Sequence, residues 1–179
     1  YPHIFELKKS IKGFSSIVTS KPNDSDFLMV NQENIQKIHS EIPKAAGVII
    51  DLSSMPAMSP QVLDGLLIAI RAISSRLIPI LLRDGLGRVN SLHASGKNHL
   101  IQGVIVDLMD SSGLHAASCL PKIGRSIIES KIDKSTCPTF ISVPWSVSSS
   151  DILIARGCGA AGVISSGENE VKKNSVKIH

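Results

Sequence analysis

The sequence predicts an α/β domain in which strand-helix units repeat around a mainly parallel sheet. Three observations predict it. Three segments open alike: Ala46-Gly47-Val48-Ile49-Ile50-Asp51-Leu52, Gln102-Gly103-Val104-Ile105-Val106-Asp107-Leu108 and Ala161-Gly162-Val163-Ile164-Ser165-Ser166. Their spacing is nearly constant, 56 residues from Gly47 to Gly103 and 59 from Gly103 to Gly162, too long for one strand-helix unit and right for two. Further apolar runs stand where the alternate strands are needed, at residues 77–84 and 137–145, with an earlier one at 14–20. Near-continuous runs rich in β-branched residues are how strands covered on both faces read, which means parallel strands with helices outside. The expectation is a sheet of about six strands.

The elements between the strands follow from helical periodicity. Residues 33–42 form a short helix ended by Pro43. Residues 61–76 place Val62, Leu63, Leu66, Leu67, Ile70 and Ile73 at three- and four-residue steps, with Ser59-Pro60 as cap and first turn. Residues 112–131 carry Leu120, Ile123, Ile127 and Ile128 on one side, with Pro121 marking a kink or the true start. Ser150-Asp151 caps a helix that runs to Arg156 and stops at Gly157. One domain spans residues 1–167, and the polar tail 168–179 is read as a loose end or strand-like extension.

Composition bounds the function. A chain of 179 residues buries enough surface to need no disulfide or metal. With 42% hydrophobic and 19% charged residues it belongs with globular domains. Its six aromatics (four Phe, Trp145 and Tyr1) leave an aliphatic core and no base-stacking platform. The net charge of +4 comes from scattered residues, so nucleic acid is not an expected partner. Cys119, Cys137 and Cys158 are odd in number and lack CxxC spacing, which argues against a zinc site or a disulfide framework and for a reducing, intracellular compartment. No metal or cofactor is expected. No apolar run approaches the roughly 20 residues of a membrane span. The chain opens at Tyr1, so removal of an organellar targeting segment is kept as an option.

The motifs are few. Gly157-Cys158-Gly159-Ala160-Ala161-Gly162 spells GxGxxG, but a dinucleotide turn needs a strand before it and a helix after it. Here the order is reversed, so the glycines read as a helix stop and a tight turn into a strand. Asp84-Gly85-Leu86-Gly87 follows a strand but lacks the third glycine. In parallel α/β folds the ligand site lies beyond the carboxyl ends of the strands, where this chain places Lys21, Asp51, Arg83, Asp84, Asp107, Ser146 and the loop Ser165-Ser166-Gly167. Asp51 and Asp107 follow matching apolar runs, and such a pair could hold a divalent cation, share acid and base duties, or cap their own loops. Lys21 could bind phosphate, form a Schiff base, or lie in a solvated loop. His93, His99 and His115 lack metal-ligand spacing and read as surface residues.

The stretch from Cys137 to Gly167 resembles the closing units of phosphate-binding (β/α)8 barrels of the thiamine-phosphate-synthase-like and aldolase type. Pro138, the strand 139–143, the cap Ser149-Ser150-Asp151, Gly159-Ala160-Ala161-Gly162-Val163 and Ser165-Ser166-Gly167 carry that resemblance. It implies a barrel-like fold and a phosphate held by Ser165, Ser166, Gly167 and Ser146, with Asp51, Asp107 and Lys21 as catalytic candidates. Where such barrels have a glycine pair this chain has Pro144-Trp145, which removes a close-approach wall of the phosphate cradle. A second stretch, Val48 to Ser53 with the helix after it and Asp110-Ser111-Ser112-Gly113-Leu114, is similar to STAS-type regulatory domains. That similarity implies a phosphoacceptor at Ser111 or Ser112.

The expected function is a degenerate barrel-like binding or structural module within a larger protein or assembly, with a protein partner or a second copy. The alternative is a lyase, isomerase or synthase acting on a small phosphorylated metabolite. A STAS-like regulatory domain comes third. Whether the chain is an enzyme is left open.

Overall fold

The computed structural model describes residues 18–19, 27–108, 116–143, 149–165 and 177–178. In chain order the elements are β1 (Val18–Thr19), β2 (Phe27–Val30), α1 (Ile38–Glu41, set between single turns of 3₁₀ helix), β3 (Gly47–Asp51), α2 (Pro60–Ile73) and β4 (Ile80–Gly85). They continue as α3 (Val89–Ser95), β5 (Gly103–Asp107), α4 (Ala116–Ser130), β6 (Thr139–Val143), α5 (Ser149–Gly157), β7 (Gly162–Ser165) and β8 (Lys177–Ile178). The strands lie side by side in chain order. All are parallel except β8, which runs antiparallel to β7. From β2 to β7 a helix fills every crossover, so the fold is the α/β alternation that the repeats predict.

The two faces of the sheet have different cores, because successive side chains of a strand point to opposite sides. On the helix side Val48, Ile50, Ile80, Leu82, Val104 and Val106 pack against Leu67 and Ile70 of α2, Leu92 of α3 and Ile123 of α4. Each such Leu or Ile stabilises the fold by roughly 1.5–3 kcal/mol. Among the described residues the other face carries no helical residue. Its cluster takes one buried side chain from each of β2 to β7, Phe27, Ile49, Leu81, Ile105, Phe140 and Ile164, with Met29 packed against it.

That second layer explains the recurring glycine. The register sets Phe27 beside Gly47, Leu81 beside Gly103 and Phe140 beside Gly162. A Cβ at Gly47 would stand 2.3 Å from the Phe27 ring, and one at Gly103 would stand 3.3 Å from Leu81. Phe27 and Leu81 lie over the bare backbone of the next strand and register sets Phe140 equivalently beside Gly162, so the two-unit repeat is a packing repeat.

Local chemistry sets the element ends. The hydroxyl of Ser59 accepts from the N–H of Val62 at 3.3 Å and Pro60 fills the first turn, starting α2. Leu63, Leu67 and Ile70 form its buried stripe, narrower than the periodicity predicts, with Val62 exposed. The helix stops at Ile73 rather than 76, because Ser74 is extended and donates its hydroxyl to the carbonyl of Arg76. Pro121 lies inside α4 and does not start it. After α5, Gly159 adopts φ 95° and turns the chain into β7, the helix-stop role read from the glycines.

Two elements are absent from the sequence reading. β2 is only four residues long and only Val30 of it is β-branched. α3 lies between Gly87 and Gly96 and shows one turn of periodicity, Val89 to Leu92 and His93. Residues 33–42 form 3₁₀ and α turns in place of a continuous helix.

Candidate functional site

The sheet brings three charges together at the carboxyl ends of its central strands. Asp51 closes β3, Arg83 lies in β4 and Asp107 closes β5. By alternation from Ile49, Leu81 and Ile105 they occupy the helix-free face, just beyond its apolar layer. Register places Arg83 directly beside Asp51 and two residues short of Asp107, so that both acids share its face. Its guanidinium reaches both: Nη1 stands 3.5 Å from Oδ2 of Asp51, and Nη2 pairs closely with Oδ2 of Asp107. Ser53 donates its hydroxyl to Asp51 Oδ1 at 2.6 Å.

Both carboxylates are buried, and Arg83 keeps 22% of its side chain exposed. Two carboxylates and one guanidinium leave one net negative charge. A cation therefore already stands between the two acids, in the position a divalent metal would have to take. Among the described residues no group of three or more His, Cys, Asp or Glu is arranged to hold a metal ion. The 3₁₀ turn after Asp51 has no side-chain cap from that residue; Asp51 spends its oxygens on Ser53 and Arg83. Ser142 of β6 is beside Asp107 in register, on the same face as Phe140.

Asp84, next to Arg83 in sequence, faces the helices. Its Oδ1 accepts from the N–H of Gly85 at 2.8 Å and from Nε of Arg88 at 3.1 Å, which pins the turn into α3. It belongs to the scaffold.

Of the residues proposed from sequence, Asp51 and Asp107 are brought to one place. Lys21, Ser146, Ser166 and Gly167 lie outside the described residues, as do Ser111 and Ser112 of the STAS-like stretch. Ser165 ends β7, where its backbone pairs with Val143 and Lys177. Arg83 stands on the predicted rim without a predicted role. A signal was available: Arg83 is the cation in an apolar strand whose two flanking strands both end in aspartate.

His93 corrects a second expectation. It is fully buried in α3, with Nδ1 2.7 Å from Ser126 Oγ of α4 and Nε2 3.1 Å from Thr139 Oγ1 of β6. Burial pushes its pKa down to about 4, so the neutral ring ties two helices to a strand. Ser126 and Thr139 are buried too, so no substrate reaches the group. His99 is exposed, and His115 lies outside the described residues.

Neither a protein-family model nor a curated protein matches the chain. Among the described residues no helix is long and apolar enough to cross a membrane.

Proposed function

We propose that the chain is a barrel-like binding or structural module whose carboxyl-end charge cluster is an internal brace. Arg83 held between Asp51 and Asp107 is the observation that carries this reading. Acid-base work needs a carboxylate free to exchange a proton with a substrate, and phosphate binding needs a guanidinium not already claimed. Here both carboxylates hold the one guanidinium, and the cluster keeps one net negative charge, which disfavours a phosphate. The barrel-like part rests on the strictly sequential strands and on a sheet face that is buried with no helix on it among the described residues, as happens when a sheet curls over its own side chains. Exposed Ile68, Ile128 and Leu153 on three helices support a role within a larger assembly.

Calorimetric titration with inorganic phosphate and with glycerol phosphate tests it. No heat of binding is expected up to millimolar ligand. Saturable binding below that range, lost in Arg83→Met, would overturn the brace and favour an enzyme acting on a small phosphorylated metabolite.

A further inference from the structure

The opposite end of the sheet has a different character. The segments that lead into β4, β5 and β6 enclose a cleft of about 590 Å³, within the range of small-molecule sites. Leu77, Ile78, Pro79, Leu100, Ile101 and Ile132 supply apolar walls. Leu77 keeps two thirds of its surface exposed there, at 67%.

The polar side chains around these walls are unbalanced. Arg71, Lys97 and Lys131 are cationic against the single anion Asp133, an excess of two positive charges (three minus one). Asp133 is turned to its own loop, accepting from the N–H of Ser135 at 2.9 Å and from its hydroxyl at 2.7 Å. Among the described residues none of the three cations makes an ion pair. The Arg71 guanidinium is half buried and bonds only neutral acceptors: the carbonyls of Ile78 and Leu100 and the side-chain oxygen of Gln102. Desolvation by burial lowers its pKa.

Lys131 adds an independent observation. It follows α4 with φ 54°, the left-handed conformation that normally falls to glycine after a helix, yet the chain keeps a lysine there and that lysine lines the cleft.

We propose that this amino-end cleft binds a small organic anion with an apolar body and one carboxylate, the body against Ile78, Leu100 and Ile101 and the carboxylate at Lys97 and Lys131, with the Arg71 guanidinium adding positive charge beside them. The proposal goes beyond the reading of the carboxyl end and stands whether or not that end is catalytic. Apolar walls alone would accept any oily molecule; the uncompensated cations select the charged one.

The test uses the full chain and anilinonaphthalene sulfonate, an apolar fluorescent anion, displaced by decanoate or by decanol. Saturable one-to-one binding is expected, with decanoate displacing the probe at least about tenfold better than decanol. The double variant Lys97→Glu/Lys131→Glu should weaken probe and decanoate by about tenfold or more. Lys37→Glu/Lys122→Glu, the same charge change on exposed residues outside the cleft, should leave both unchanged. Equal displacement by decanol, or equal binding by both double variants, would overturn the proposal. So would a chain that sediments as a dimer, binds no probe, and dissociates on Lys97→Glu/Lys131→Glu, since a second copy would then be the occupant.

Discussion

The two ends of one sheet handle their charges in opposite ways. At the carboxyl end Asp51, Arg83 and Asp107 satisfy one another. At the amino end Arg71 disperses its charge over neutral oxygens, and Lys97 and Lys131 stand beside apolar walls with no carboxylate partner among the described residues. The difference follows from burial. Charges drawn out of water must be paired, while charges left at a water-filled cleft keep their hydration and can be spent on a ligand. A cluster of charge is thus not by itself a site, and in this fold the end whose charges are paired carries the smaller net charge.

The largest effect should come from breaking the paired end. Arg83→Met leaves two buried carboxylates facing each other and should destabilise the fold by about 3–5 kcal/mol. Chemical denaturation at neutral pH measures this. Adding Asp51→Asn and Asp107→Asn to the same chain should recover most of the loss, because a neutral triad of similar volume costs far less than an orphaned pair. A small loss in the single variant would mean that water already solvates the acids, and the contrast between the ends would collapse.

His93 sets a reference that belongs to neither end. Its pKa falls from 6.5 in the unfolded chain to about 4 in the fold. The unfolded chain therefore binds the extra proton first as pH drops, so stability present above pH 6.5 is lost down to about 4. A shift of this size corresponds to about 3 kcal/mol. The difference in unfolding free energy between wild type and His93→Gln, followed across that window, isolates the histidine from the others. A parallel pair of curves would show that the imidazole titrates alike in the folded and unfolded chain, as a ring reached by water would.

Much of the architecture was legible because the pattern and the packing share a cause. The strands of the Gly-Val-Ile repeats show as apolar runs because both faces are buried, and the constant spacing reflects glycines placed under Phe27, Leu81 and Phe140. β2 and α3 were not legible, since four residues or one turn carry too little periodicity to stand out from a loop. At the site, the equivalence of Asp51 and Asp107 was readable from matching positions, but their joint partner was not. Pairing with Arg83 depends on β4 inserting between β3 and β5, which is a property of strand order. His93 looked like a surface residue because its hydroxyl partners lie 33 and 46 residues away in sequence.

A weaker effect is expected when the amino end is broken. Arg71→Met frees the carbonyls of Ile78 and Leu100 and removes one of the two donors to Gln102 Oε1, which keeps the Ile80 N–H, but leaves no buried charge unpaired. Water in the cleft can take over the acceptors, so the loss should be about 1–2 kcal/mol, well under that of Arg83→Met in the same denaturation assay. Equal losses would mean that the amino end is as tightly organised as the other.

The smallest effect should have the opposite sign. Lys131→Gly removes a Cβ from a left-handed residue at the end of α4, and should raise stability by up to about 1 kcal/mol. Glycine has more freedom to lose in the unfolded chain, which offsets part of the gain. The denaturation midpoint reads the net result. A gain would mean that the fold carries a lysine at this position against its own stability, as a side chain kept for the cleft requires. A loss would mean that lysine is the better-fitting residue there, and that its conformation says nothing about a ligand.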